Sequence, residues 1–438
     1  MNSHNNIQRR YEWGDRRVAA IGLILIVIGL TAGVYRAIAE YSNPGPFSFD
    51  KTGYCDYHNG LYFPSRAVLD GVSPYGEAYV AAYPVDRQVP FFSPAFFMLH
   101  VPITIWSLHV SEVLFFILTV LTALGIGFVA ADAAGFRNRI DVILVATATL
   151  VLSRGGHTTI QDGYFTFELV LATLLAIRWG KNRPWLAAIA LLVVSAKPTY
   201  VIPLGFLLLA RGNFKALVIG AVFSIVGAAL PFAWLSYNLG DGDLIAGFSQ
   251  IVSDIQGTQT KHLSVSSESP INTWTRLDLL AIIAKWIKTD PSQTIHLVSM
   301  LAILTVPMIV LAKRLRRGID DNVGGLTGLI ILSALLVSIY HNSYDALVLI
   351  APLTAIVAGK LPVWKSPKTW VRIVIALLII TPIYNYLSTR MVLMRFDPSQ
   401  QVVDLVTSIS GISLTALLVV ACWLGCADHD HDGPIEPR

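Results

Sequence analysis

The stretch CDYHNGLYFPSRAVLDGVSPYG, residues 55 to 76, sets titratable side chains between two strongly apolar segments. Ionisable groups at a membrane boundary are costly, so each one is a candidate for function. Asp56 is the first candidate, because it stands at the start of a predicted amphipathic helix and is flanked by Tyr57 and His58. We expect that helix to lie on the outer membrane face and to be interrupted by Pro64.

Lys197 lies in the segment SAKPTY, between two apolar half-helices and without an acidic residue near it in the sequence. A lysine in that place either extends its ammonium group to the membrane interface or meets an anion. If Lys197 meets an anion, a lipid phosphate is the anion that would give it a function.

Three further clusters are candidates, and each has a structural alternative. His341 and Asp345 lie one helical turn apart, either as a local hydrogen-bonded pair or as the polar wall of a lipid head-group site. Trp274 and Arg276 begin a predicted amphipathic stretch that either rests on the membrane or covers a site. Gln161 belongs to a polar tip, SRGGHTTIQDGY, for which a simple polar cap is the alternative.

The sequence contains no P-loop, dinucleotide fingerprint, HExxH motif or GxSxG elbow. Chemistry driven by a cytoplasmic nucleotide is therefore unsupported. The three cysteines are too few for a disulfide framework. The tail ADHDHDGPIEPR alternates Asp and His, but we expect it to be solvated rather than to bind a metal. We expect neither a metal nor a cofactor.

The composition predicts an all-α polytopic membrane protein. Of the 438 residues, 54% are hydrophobic and 14% are charged, and the mean hydropathy is +0.60. The net charge is only +4, and the basic residues lie in short clusters between apolar runs. This pattern indicates charges that set membrane topology and argues against nucleic-acid binding.

Basic connections fix the predicted orientation, because lysine and arginine favour the cytoplasmic side. The N-terminus, FRNR, RWGKNR, KRLRRG and GKLPVWKSPKTWVR must share that side. Because each crossing moves the chain to the other side of the membrane, two cytoplasmic connections must be separated by an even number of crossings. This count gives about twelve transmembrane helices with both termini in the cytoplasm. It also requires that residues 184 to 210 form a hairpin of two short helices, and that residues 91 to 107 form an interfacial or half-embedded helix.

The predicted layout has two large extracytoplasmic loops, and most polar clusters fall on their side of the membrane. The segments are a cytoplasmic N-terminus (1–16), helices 1 to 7 with the first loop at 40–108 as the module of the candidate site (17–237), the second loop (238–292), helices 8 to 12 (293–424) and a cytoplasmic tail (425–438).

Together these features resemble glycosyltransferase family 87, the polyprenyl-phosphate-mannose-dependent mannosyltransferases of the GT-C superfamily. The family pattern combines an acidic residue after the first helix, an LxGxxPY loop, a proline-rich start of the next apolar run, a Gln tip and a KP dipeptide in a broken hairpin. One departure is the segment VPFFSPAFF, where the family often has tyrosine and paired prolines. The matching residues are Asp56, Leu69, Gly71, Pro74, Tyr75, Pro90, Pro94, Gln161, Lys197 and Pro198, with YHNSYD as a polar helix end.

The resemblance implies a GT-C fold with membrane-parallel helices in the first loop. It implies an inverting enzyme that moves a sugar, mannose in the family, from a polyprenyl-phosphate donor to a glycolipid or polysaccharide acceptor. This enzyme would act at the extracytoplasmic face of a bacterial plasma membrane, in cell-envelope glycolipid biosynthesis, with membrane lipid and no nucleic acid as partners. Asp56 would be the general base. The donor phosphate would contact Lys197, His341, Arg66 and Arg276, and the substrates would contact Tyr57, His58, Tyr62, Gln161, Asp345 and Trp274.

Two alternatives stay open at this point. A twelve-helix secondary transporter or lipid flippase is favoured only by the broken hairpin around Lys197, since the loops are unequal and no internal repeat is evident. A non-catalytic polymer-assembly subunit would keep the fold and would not need Asp56.

Overall fold

The computed structural model describes residues 14–45, 48, 50–85, 90–263 and 269–427. Helices and connecting turns make up these ranges, which contain isolated β-bridges but no β-strand. The all-α prediction is therefore confirmed. Most of the N-terminal segment, and the acidic and histidine-rich tail after Ala427, lie outside the described residues.

The helices follow one another with short connections. In the first half they are α1 Arg16–Ala39, α2 Cys55–Tyr57, a π-helical turn His58–Tyr62, α3 Phe63–Leu69, α4 Glu77–Ala82, α5 Pro94–Thr104, α6 Leu108–Ala133, α7 Ile140–Val151, α8 Arg154–Asp162, α9 Thr166–Trp179, α10 Pro184–Val194, α11 Pro198–Ala210 and α12 Phe214–Leu239. In the second half they are α13 Leu244–Leu263, α14 Leu279–Ile287, α15 Gln293–Arg316, α16 Leu326–Ser338, a 3-10 helix Ser343–Leu349, α17 Ile350–Ala358, α18 Pro362–Lys365, α19 Thr369–Tyr384, a 3-10 turn Tyr386–Ser388, α20 Arg390–Phe396 and α21 Gln400–Ala427.

Six helices of the described ranges are long and apolar enough to cross a membrane, namely α1, α6, α12, α15, α19 with the turn after it, and α21. The other predicted spans coincide with shorter helices, each below the ~20 residues that a span needs. α7 is followed by the polar helix α8, which is bent away from it by 72°. The protein is thus a polytopic membrane protein, and the number of twelve spans stays a prediction.

The helix α16 shows how a short helix is accommodated in the middle of the bundle. Every one of its residues, LTGLIILSALLVS, is buried. It packs against α11, α15 and α21. A helix that is apolar on all faces is buried on all faces, so α16 forms the core around which the longer helices pack.

The two predicted irregularities of the apolar pattern are present. α10 ends at Val194 and α11 begins at Pro198, because proline disfavours the helical conformation of the residue before it, and Lys197 is extended (φ −123°, ψ 106°). Residues 91 to 107 contain α5, whose 11 residues are too few to cross a membrane.

The predicted amphipathic helix of the first loop is wrong in two respects. It continues from Cys55 to Leu69 without a break, and Pro64 lies just after the π-helical turn His58–Tyr62, where the regular α-helical hydrogen-bond pattern is already interrupted. It is also enclosed by protein rather than exposed on one face: Tyr57 and Leu61 are fully buried, and α5 packs against this helix. The first loop is therefore part of the folded core of the protein.

Candidate functional site

Asp56 lies in the first turn of α2, at the start of the buried helix of the first loop. Tyr54 has a left-handed backbone (φ 60°) that turns the chain into this helix, and its N–H donates to the carbonyl oxygen of Gln161 over 2.9 Å. Asp56 is half-buried as a residue, and its carboxyl group lies deep in the protein. Burial raises the pKa of Asp56 to about 6, opposed by a hydrogen bond from the Cys55 thiol, whose sulfur lies 3.8 Å from the carboxylate. The result is a carboxylate that is more basic than an exposed one and still ionised at neutral pH.

A second carboxyl group, that of Asp162, lies within electrostatic range of Asp56. Asp162 is the last residue of α8, which ends because Gly163 is left-handed (φ 71°). Its Oδ1 atom is buried and, among the described residues, has no hydrogen-bond partner, while the side chain is hydrogen-bonded to Thr52. Burial and the charge of Asp56 raise the pKa of Asp162 well above its usual value. We call Asp56 and Asp162 the carboxyl pair, since the charge of one makes ionisation of the other less favourable.

Lys197 lies in a buried polar cluster at the break between α10 and α11. Its ammonium nitrogen lies 3.4 and 3.3 Å from the two carboxylate oxygens of Asp345, a residue 148 positions away in the chain. The hydroxyl of Tyr200 donates to the same carboxylate over 2.8 Å, and Nδ1 of His341 lies 3.1 Å from it. Folding thus supplies the acidic neighbour that Lys197 lacks in the sequence. We call these four residues the lysine cluster.

Three tyrosine rings surround the ammonium group of Lys197. Its nitrogen lies 5.7, 5.4 and 5.3 Å from the ring centroids of Tyr164, Tyr200 and Tyr344, within the range of cation–π attraction. Tyr164 is also within electrostatic range of the acidic residues of both the carboxyl pair and the lysine cluster. The Tyr164 side chain therefore lies where the two groups approach each other.

Glu112 connects the start of α6 to the helix that carries Asp56. Its carboxylate lies 2.6 Å from Nε2 of His58 and 2.9 Å from Nδ1 of His109, and it accepts a hydrogen bond of 2.6 Å from the hydroxyl of Tyr41. Hydrogen bonds to a charged acceptor are stronger than neutral ones. This network therefore fixes the π-helical turn, which directly follows α2 and its Asp56, against α6.

The sequence model of glycosyltransferase family 87 matches residues 91 to 339 of the chain, more than half of its length. The chain belongs to glycosyltransferase family 87. No curated protein and no solved structure matches it. Family membership makes the protein a glycosyltransferase and decides against the transporter and flippase alternative.

The matched segment of this family 87 glycosyltransferase contains only part of the site. It includes Gln161, Asp162 and Lys197, but it begins after Asp56 and ends before His341. The tertiary structure places the residues on both sides of these limits next to the matched ones.

Three residues predicted to bind substrate in the glycosyltransferase have partners within the protein. The Gln161 amide donates to the hydroxyl of Thr52 over 3.1 Å. The Tyr57 hydroxyl is hydrogen-bonded to that of Ser111, and the Tyr62 hydroxyl donates to a backbone carbonyl over 3.0 Å. These contacts hold the first loop in place, and a direct role in substrate binding stays a prediction.

The remaining predicted residues are held by other partners. The guanidinium group of Arg276 is buried and donates to both carboxylate oxygens of Asp278, over 2.9 and 3.0 Å, so its charge is already neutralised. Arg66 follows Asp56 by ten residues, about 15 Å along a helix, and donates to a backbone carbonyl over 3.3 Å. Trp274 precedes α14, which begins only after its cap Asp278. A phosphate contact by either arginine stays a prediction.

Two acidic residues near these side chains have no separate role in the sequence-based prediction. Asp162 stands beside Gln161 in the polar tip SRGGHTTIQDGY, for which a binding role and a polar cap are both open. Nothing in the sequence indicates the contact of Glu112 with His58, since 54 residues separate the two. Within the ranges that the structure describes, no group of three or more His, Cys, Asp or Glu side chains is placed to hold a metal ion.

Replacing Gly163 by Ala should disturb the contact between α8 and α2. A Cβ atom there would lie 2.7 Å from Cβ of Tyr57, and a left-handed backbone costs a residue with a side chain about 1–2 kcal/mol. We expect a lower unfolding temperature in detergent and a lower transfer rate, because α8 carries Asp162. The matched control is Gly205→Ala in α11, where an added Cβ meets nothing within 4 Å. Unfolding temperatures equal to that of the parent in both variants would contradict the tight packing at Gly163.

Proposed function

We propose that this glycosyltransferase moves a sugar, with mannose as the first choice, from a polyprenyl-phosphate donor to a glycolipid or polysaccharide acceptor. The arrangement that supports this proposal is that a basic carboxylate, Asp56, and a buried ammonium group, Lys197, both lie within electrostatic range of Tyr164. A transfer from a phosphate-linked sugar needs a group that accepts a proton from the attacking hydroxyl and a group that stabilises the departing phosphate. One residue of each kind is present.

Asp56 acts as the general base in this mechanism. Its carboxylate accepts the proton of an acceptor hydroxyl while the oxygen of that hydroxyl forms a bond to the anomeric carbon. The bond from this carbon to the phosphate oxygen breaks at the opposite face, and the phosphate leaves with the electron pair. One displacement inverts the configuration, so a β-linked donor gives an α-linked product. A pKa of about 6 suits this role, because the group is ionised at neutral pH yet more basic than an exposed carboxylate.

Lys197 binds the donor phosphate. An ammonium group has three N–H donors, and its two contacts with Asp345 are long, at 3.4 and 3.3 Å. The remaining donor serves a phosphate oxygen, and His341 lies beside it in the lysine cluster. Asp345 holds the lysine side chain in place before the donor arrives.

The proposed reaction takes place at the extracytoplasmic face of a bacterial plasma membrane, with both termini in the cytoplasm. The support is the distribution of charge: basic connections share one side, and the residues of the site fall in segments on the other side. A site at that boundary receives the prenyl chain of the donor laterally from the lipid bilayer.

The decisive experiment for this function is a transfer assay with purified protein. The protein is incubated with radiolabelled polyprenyl-phosphate mannose and a membrane-lipid extract, and labelled glycolipid is separated from the donor. We expect a labelled product that depends on Asp56. Polyprenyl-phosphate arabinose and glucose are run in parallel, and labelling from one of these alone would replace mannose as the donor sugar. Absence of product from every donor would contradict the proposal.

The pH dependence of transfer tests the roles within the carboxyl pair. Asp56 must be ionised, so the rate should fall as the pH drops through about 6. Asp162 should stay protonated, because its ionisation would add a negative charge near the donor phosphate, so the rate should fall again at alkaline pH. Asp162→Asn keeps a neutral side chain of the same shape. We therefore expect this variant to keep most of the activity at neutral pH and to lose the alkaline fall.

The measurement is kcat/KM for the donor across the pH range, for the parent and for the Asp162→Asn variant. A loss at neutral pH as large as that of Asp56→Asn would show that Asp162 must be ionised, and the assignment of Asp56 as the sole base would then be rejected.

A further inference from the structure

A polar cavity of about 280 Å³ lies at the other end of the bundle from the carboxyl pair. Glu112, which contacts His58, is near the start of α6, whereas Asp132, which lines the cavity, is in its last turn. Twenty helical residues correspond to about 30 Å. The cavity is therefore separate from the site described above. Its polar lining comes from Asp132, Arg137, Arg178, Asn182, Arg183 and Asn322.

The lining has an excess of positive charge. It contains three arginines and one acidic residue. Asp132 contacts the guanidinium group of Arg178 closely and lies 3.6 Å from that of Arg137. Arg183 is exposed, and its side chain forms no ion pair within the described ranges. One carboxylate thus serves two of the arginines, and the third faces the cavity without a counter-charge.

The chemistry of the lining fits a phosphate group. Guanidinium groups bind phosphate oxygens through paired N–H donors, and the amide groups of Asn182 and Asn322 supply neutral donors beside them. The volume is just below the ~300–1,000 Å³ of typical pockets for drug-sized molecules, so it suits a head group better than a whole lipid or a nucleotide.

The position of the cavity favours a lipid as the source of that phosphate. The lining combines the connections that follow α6 and α9 with the segment before α16, at the ends of apolar helices. Trp179 is part of it, and tryptophan is enriched at the boundary between membrane and water. Charges that only set topology need not converge on one cavity, whereas basic pockets between helix ends are typical sites for anionic lipid head groups.

We propose that this cavity binds the phosphate group of an anionic ligand through Arg137, Arg178 and Arg183. The phosphate belongs to a phospholipid head group or to a soluble phosphate, and the two sources share the same contacts.

Native mass spectrometry of the full-length protein with phosphatidylglycerol tests the lipid source, and a thermal shift in inorganic phosphate tests the soluble source. The variant is Arg137→Gln with Arg183→Gln, which keeps the pair of Arg178 with Asp132. We expect the apparent affinity of this variant for one of the two ligands to fall by about tenfold or more, because charge-assisted contacts to an anion are lost. A reduced lipid signal identifies a lipid site, and a reduced phosphate shift identifies a soluble ligand.

The matched control is Lys365→Gln with Lys368→Gln, which removes the same charge from exposed residues outside the cavity. The single variant Arg183→Gln guards against misfolding, because this side chain is exposed. The proposal is overturned if neither ligand binds the parent, or if the lysine variant loses binding to the same extent as the arginine variant.

Discussion

Asp56→Asn is expected to lower the rate of sugar transfer by about 10²–10⁴-fold, the contribution of a positioned general base. The amide has nearly the shape of the carboxylate but cannot take up the proton of the acceptor hydroxyl. Because a neutral side chain is cheaper to bury than a charged one, the unfolding temperature should be unchanged or higher. The measurement is transfer from radiolabelled polyprenyl-phosphate mannose by the purified variant, together with its thermal unfolding in detergent.

The same substitution at Asp70 provides the control. Asp70 follows the last residue of α3, is exposed, and accepts a hydrogen bond of 2.6 Å from the hydroxyl of Tyr83, which an asparagine oxygen also accepts. We expect Asp70→Asn to retain activity. Full activity of the Asp56 variant would remove it as the base, and an equal loss in the Asp70 variant would point to a general disturbance of the first loop.

Lys197→Met is expected to affect stability and donor use at once. Removal of one partner from a buried ion pair typically costs about 3–5 kcal/mol, because the other charge stays buried. Here that charge is Asp345, whose remaining partners are His341, Tyr200 and the backbone N–H of Asn342. The single variant should therefore unfold at a clearly lower temperature, and its weak activity would not by itself reveal a role in phosphate binding.

The double variant Lys197→Met with Asp345→Asn separates the two effects. It removes both charges, so most of the stability should return, since replacing a buried pair with neutral groups is often close to neutral. Donor use should stay impaired: a hydrogen bond to a charged group is worth about 1.5–3 kcal/mol, so KM for the donor should rise by about tenfold or more. A stable double variant with an unchanged KM would reject the phosphate role of Lys197.

The sequence predicted several parts of this fold for reasons that are local. The break at Pro198 was predictable because proline restricts the residue before it. The short helix α5 was predictable because the basic connections before and after it fix the number of membrane crossings between them, and that number does not include residues 91 to 107. The burial of the helix that contains Pro64 was not predictable, because it depends on packing against α5, which is distant in the sequence.

The candidate site was predictable in its individual residues but not in its contacts. Asp56, Lys197, His341 and Asp345 stood out because charges are rare and costly beside apolar segments. Their partners did not stand out, and neither did the ion pair between Arg276 and Asp278.

The sequence alone determined that this is an all-α membrane protein, where its helices break, and which charged residues are candidates for function, because hydropathy, proline and charge act over a few residues. Only the tertiary structure decided which charges meet. The pairing of Lys197 with Asp345 joins residues 148 positions apart, and the approach of Asp162 to Asp56 depends on α8 ending against α2. Electrostatic interactions in a protein depend on distance and burial, and neither quantity can be read from spacing along the chain.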